Sequence, residues 1–149
     1  LRAGAFDTRQ DNQVAELVAD GLDAFLRDYG ALPWSPGGDV DCCLALAAWL
    51  VWLGFPDPAS VLRGTYKDEE GFRRLINDAG GLAPLISPYI PATGIATTSP
   101  SRGDIGVIGS PTNIHRQFGA IYDGRGWLVR QTEGFGRMSA RTLAAWTFP

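Results

Sequence analysis

Asp41-Cys42-Cys43-Leu44 holds both cysteines of the chain and places them where a thiol can do chemistry. The preceding loop, Pro33-Trp34-Ser35-Pro36-Gly37-Gly38-Asp39, is incompatible with a helix, and Ala45-Leu46-Ala47-Ala48-Trp49-Leu50 after it is a strong helix former. The cysteines therefore fall in a first helical turn, where the helix dipole and unpaired backbone amides favour a thiolate. An unpaired cysteine is also a common small buried hydrophobe, and spacing alone does not separate the two readings. Adjacent cysteines rarely bridge without strain, so both thiols are expected to be free.

A nucleophilic thiol needs a general base and a polar group to orient it. His115 is the single histidine. It precedes a segment of period two, so in extended geometry His115, Gln117, Gly119 and Ile121 share one face. If that face meets the helix start, either His115 or Gln117 lies beside Cys42. Gln131, at the end of the next strand, has an amide oxygen able to accept from an imidazole N–H. The plainer alternatives are a loop histidine beside Arg116 and an exposed strand end. With one histidine and no ligand spacing, neither a metal nor a cofactor is expected.

The elements that would carry these residues follow from periodicity. Val14, Leu17, Val18, Leu22, Phe25, Leu26 and Tyr29 form a helical stripe from Asp11 to Tyr29, an amphipathic helix within residues 1–30 that ends at Gly30. The helix from Cys42 to Leu53 is apolar nearly all round and should be central. A third helix is predicted from Asp68 to Ala79, closed by Gly80-Gly81. Residues 82–101 hold four prolines among Leu85, Ile86, Tyr89 and Ile90, which suggests a short helix or a partner-binding surface. The period then changes to two. Strands are expected at Asp104–Ile108, Gln117–Tyr122 and Trp127–Thr132, with Asp123-Gly124 turning the last two. A final strand pair around Arg137-Met138 and Trp146–Phe148, with a helical turn at Thr142–Ala145, would complete a small antiparallel sheet. Helices first and strands afterwards is an α+β order, and residues 1–149 read as one domain.

At 149 residues with 45% hydrophobic and 19% charged, the composition is that of an ordinary domain with one core. No apolar run reaches the roughly 18 residues of a membrane span, and no secretory pattern opens the chain. The first hundred residues carry thirteen acids against seven basic groups, and the remainder carries six arginines against three acids. Those arginines are scattered singly, which argues against nucleic acid as a partner.

Several segments carry a family resemblance: Asp41-Cys42-Cys43-Leu44, Asp57-Pro58-Ala59 with Arg63-Gly64-Thr65-Tyr66, Gly80-Gly81-Leu82, Arg102-Gly103-Asp104 and Ala144-Ala145-Trp146. Their order is similar to that of the NlpC-type cell-wall peptidases, a circularly rearranged branch of the papain-like cysteine hydrolases. More closely, the chain resembles a family of phage and prophage proteins related to that superfamily. The resemblance implies a papain-like fold with Cys42 as nucleophile and Cys43 in a small-residue position, and it makes Arg102-Gly103-Asp104 a strand entry, with Asp41 and Asp104 structural near the site. In NlpC-type enzymes a histidine opens the base-bearing strand, before a small apolar residue and glycine. Here the triplet is Gln117-Phe118-Gly119.

Glutamine cannot take a thiol proton, and general-base catalysis contributes about 10²–10⁴-fold. His115 would sit about 6–7 Å further along the strand. Three readings follow. The first is a virion component, made in the bacterial host cytoplasm, with a degenerate site in the tail tip or hub. It would bind other tail proteins through Leu85, Ile86, Tyr89 and Ile90. The second is an active cysteine peptidase cutting peptidoglycan stem peptides during entry, in which Cys42 attacks, its backbone N–H helps hold the oxyanion, and His115 shuttles the proton with Gln131 orienting it. The third binds peptide or cell wall without turnover. In each, Asp41 caps the helix.

Overall fold

A computed structural model describes residues 21–149 of the chain. The predicted first helix falls partly outside these residues; within them, residues 21–30 are helical (α1). Leu22, Phe25 and Tyr29 are buried on one face, while Asp23, Arg27 and Asp28 are exposed on the other. Phe25 packs on Tyr29 and on Trp49 of the next helix, with ring centroids 5.2 and 5.3 Å apart.

The central helix α2 spans Leu44–Trp52, with Cys42 and Cys43 in the turn that leads into it. Leu44, Ala45, Leu46, Ala47, Trp49 and Leu50 are all buried. Burial does not reach its C-terminal end, where Val51 and Trp52 are 46% and 47% exposed. Trp49 Nε1 donates to the carbonyl of Gly103 at 2.8 Å, tying the helix to the entry of a strand. Helix α3, Glu69–Ala79, begins at Asp68, whose carboxylate accepts from the amide of Gly71, and ends at Gly80 in the left-handed region at φ 88°.

The proline-rich segment forms a short helix, α4 (Leu82–Ile86), continued by a 3₁₀ turn at Ser87–Tyr89. Of the four residues anticipated as a partner surface, Leu85, Tyr89 and Ile90 stay partly exposed. Ile86 is buried, Leu85 and Ile90 pack against the core, and Tyr89 is half-buried. α4 packs against α3 and β3, which draws Leu82 and Ile86 into the core.

Six antiparallel strands follow: β1 (Ile95–Ala96), β2 (Ile105–Gly109), β3 (Gln117–Tyr122), β4 (Trp127–Gln131), β5 (Gly134–Met138) and β6 (Thr142–Thr147). Their order in the sheet is β1-β6-β2-β3-β4-β5. The domain is α+β. Asp123 turns β3 into β4, its Oδ1 accepting from the amides of Arg125 and Gly126 at 2.8 and 2.9 Å.

Two expectations for the C-terminus are corrected. Thr142–Ala145 is strand: Thr142, Ala144 and Ala145 pair with Ile108, Val107 and Gly106 of β2, with a register shift at Leu143. Alanine favours a helix locally, but the open edge of β2 offers ladder partners and overrides that preference. The last two strands also do not pair with each other. β5 forms a tight hairpin with β4, whereas β6 crosses to the far side of β2.

One face of the sheet, with Ile105, Val107 and Ile121, joins the core formed with α1 and α2. The other face gathers Ile108, Ala120, Trp127, Val129 and Ala145. Trp127 Nε1 donates to Thr142 Oγ1 at 2.9 Å. In a flat sheet β4 and β6, with two strands between them, would lie roughly 14 Å apart, so the sheet curls around Trp127. Gly106 makes room for it, since a Cβ there would stand 2.6 Å from the indole ring.

Candidate active site

Asp41 organises the helix start. Its Oδ1 accepts from the amides of Cys43 and Leu44 at 2.9 and 2.7 Å, and its Oδ2 from the amide of Gly37 at 3.0 Å and the hydroxyl of Tyr66 at 2.5 Å. It thus acts as the helix cap, as its position suggests. Gly37 is held at φ 76° so tightly against Tyr66 that a Cβ would lie 1.7 Å from the Tyr66 carbonyl oxygen. The cap, the preceding loop and the Tyr66 segment are therefore one unit. Asp57 and Arg63, paired at 2.7 Å, staple the loop between Pro56 and Tyr66.

This start presses on β3. A Cβ on Gly119 would stand 2.7 Å from the Cys42 carbonyl oxygen, so glycine permits the close approach. Beyond that point β3 and β4 part: the pairs between them are Ile121↔Leu128 and Tyr122↔Trp127. Where they splay lies a cavity of about 470 Å³, and Cys42, His115, Gln117 and Gln131 all line it. α3 supplies Phe72 and Ile76 as another wall.

Sharing a cavity does not connect these residues. Among the described residues no hydrogen bond joins Cys42 to His115 or Gln117, or His115 to Gln131. The amide of Gln117 is engaged at both ends: Oε1 accepts from the Leu82 amide at 2.9 Å, and Nε2 donates to the Ser110 carbonyl at 2.9 Å. It clamps the start of α4 to the loop between β2 and β3. The Nδ1 of His115 is buried without a partner, while its backbone amide donates to Asn113 Oδ1. Gln131 is exposed, and its amide lies over Gly136 of β5.

The surroundings of both thiols disfavour the thiolate. Burial, and then the charge of Asp41, push the Cys42 thiol up to about 12, against a smaller opposing pull from the backbone amides of Gly119, Cys42 and Cys43. Cys43 is buried and raised as well, by burial first and then by Asp41 and Cys42. The thiolate expected at a helix start is opposed here, first by burial and then by the like charge of Asp41, whose Oδ1 also accepts from the Cys43 and Leu44 amides. Asp104 is structural: it is buried, and its Oδ2 accepts from the Ser101 amide at 2.7 Å as the chain enters β2.

Tyr66 and Arg130 carry much of the site's architecture and were not singled out from their residue types. The signal for Arg130 was available. In Trp127-Leu128-Val129-Arg130 the period of two puts Arg130 on the face of Leu128, and here that face meets the helices, where Arg130 is 1% exposed. For Tyr66 no periodicity offered a clue.

The family described as a domain of unknown function (DUF6950) matches residues 16–148, which takes in every element above. The chain belongs to DUF6950. No curated protein and no solved structure matches it. Within this DUF6950 chain, no helix among the described residues is long and apolar enough to cross a membrane.

Proposed function

We propose that this DUF6950 chain is a component of the tail apparatus of a phage or phage-like particle, in the tip or hub region, built on a papain-like, NlpC-type fold whose cysteine site does not turn over. The observation that carries the second half is Gln117. It stands at the position where NlpC-type enzymes carry the base, has no titrating nitrogen, and both ends of its amide are committed to backbone partners. A Cys42 thiol raised to about 12 in the same cavity supports the same reading. The arrangement of a Cys-bearing helix start against an antiparallel sheet is consistent with papain-like ancestry. The tail assignment is drawn from the order of the resembling segments.

Active peptidoglycan cleavage is the rival reading, favoured by one observation: His115 shares the cavity with Cys42 and has an unpartnered Nδ1. The tail assignment is tested by locating the protein in purified particles with labelled antibody and electron microscopy. Label at tail tips is expected; particles that lack the protein entirely would sink the assignment.

A further inference from the structure

Asp41, Glu69, Arg73 and Arg130 line the cavity between the parted strands, and each is already engaged. Asp41 accepts four hydrogen bonds, and Glu69 and Arg73 pair with each other at 3.1 Å. Arg130 is 1% exposed; its Nε and Nη2 donate to the Tyr29 carbonyl, Nη2 also to the Leu32 carbonyl and Nη1 to the Gln131 carbonyl. The Nδ1 of His115 is buried and out of reach of a ligand. The remaining walls are largely apolar: Trp34 from the loop before α2, Phe72 and Ile76 from α3, Phe118 from β3, Val129 from β4 and Met138 from β5. Trp34 is 37% exposed, and Phe72, Phe118 and Met138 are half-buried, so apolar surface faces the open space. Gln131 and Thr132 are exposed at the same cavity, and among the described residues their side chains make no hydrogen bond. At about 470 Å³ the space is roughly three times a cavity that holds benzene, and it has the size and the mostly apolar lining of a small-molecule site.

We propose that this cavity binds a small uncharged amphiphile, an aliphatic chain that ends in one hydroxyl or amide group. The chain lies among Phe72, Phe118 and Met138, and its polar end meets Gln131 and Thr132. The chain displaces water from apolar walls, and the polar end finds both donors and acceptors in an amide and a hydroxyl. A charged ligand of the same size would lose hydration in the cavity with every lining charge already committed, which disfavours it. A purely apolar ligand would leave the polar groups of Gln131 and Thr132 unused. Occupancy by such a molecule requires no turnover at Cys42.

The test is calorimetric titration of the full chain with primary alkanols from hexanol to decanol and with alkanoates of matching length. One site is expected, tightening roughly three- to fourfold with each added methylene until the cavity is full, and each alkanoate should bind at least about tenfold more weakly than its alkanol. Thr132→Trp, which fills space from an exposed position, should weaken decanol binding by at least about tenfold while far-UV circular dichroism stays unchanged. Met138→Ala, which enlarges the cavity, should move the end of the methylene series to a longer chain. No saturable binding up to the solubility limit of each alkanol, alkanoates that bind as tightly as alkanols, or alkanol affinities unchanged in both variants would each overturn the proposal.

Discussion

Gln117 Oε1 accepts the amide of Leu82 at 2.9 Å, so the side chain at the expected base position serves as the N-terminal anchor of α4. The other end of the same amide holds the Ser110 carbonyl. A residue that bridges two backbone segments has a structural use independent of proton transfer.

Gln117→Ala should therefore cost stability, about 1–3 kcal/mol for the orphaned amide of Leu82 and carbonyl of Ser110. Gln117→Glu keeps the acceptor for Leu82 but sets an oxygen against the Ser110 carbonyl, and should be destabilising as well. Urea denaturation followed by tryptophan fluorescence measures both; a midpoint unchanged in either variant would contradict the clamp.

Asp41 couples stability to thiol chemistry. Asp41→Asn removes the charge that is the second cause of the raised Cys42 thiol, so the midpoint of its alkylation by iodoacetamide should move down from about 12. The same change disturbs four bonds to the carboxylate, at a cost of about 2 kcal/mol or more. In the unaltered protein the alkylation rate should stay low through pH 9, and a rise centred near ~8.5 would contradict the burial argument.

Alkaline pH should unfold the domain early. Cys42, Cys43, Tyr29 and Tyr66 all have folded-state values raised by burial, so their folded forms hold protons that the unfolded chain releases. The thiols' contribution is fully present below their unfolded value of ~8.5 and the tyrosines' below ~10, and each falls as pH rises above its own value, by up to about 1.4 kcal/mol per pH unit for each group. On the acid side, Arg137 beside Asp123 and Arg63 beside Asp57 hold those carboxyls below the usual range, so their contribution is lost as pH falls through and below the ordinary carboxylate value. Thermal melts from about pH 2 to about pH 11 check both limbs. A melting temperature still rising above pH 9 would contradict the alkaline one.

Two glycines at similar φ should respond differently to alanine. Gly37, at φ 76°, abuts the Tyr66 carbonyl, whereas Gly64, at φ 79°, has nothing within 4 Å of a built Cβ. Gly64→Ala should cost about 1 kcal/mol from backbone conformation alone, and Gly37→Ala at least about 3 kcal/mol, enough to disrupt the Asp41 cap. Equal losses in the two variants would remove the steric explanation.

The helix that begins just after the cysteines, the Gly80 terminus and the strand Gln117–Tyr122 were legible because each rests on local chemistry: a cap, a left-handed glycine, a period of two. The features that were not legible depend on distant partners. Ala144 and Ala145 favour a helix until the edge of β2 is available, and the pairing of β5 with β4 rather than β6 depends on how the sheet curls around Trp127. Leu85 and Ile90 suggested an interface because nothing local shows that each packs partly against the core. The four candidate residues could be placed near one another by shared strand faces, but whether hydrogen bonds link them depends on side-chain geometry that spacing does not reveal. Gln117 could be recognised as unable to act as a base; its two backbone bonds could not.

The central claim is that the Cys42 site does not turn over, and its most direct test is release of soluble fragments from purified peptidoglycan by the unaltered protein, Cys42→Ala and His115→Ala. Identical background release from all three is predicted; fragments released by the unaltered protein and lost in both variants would contradict it.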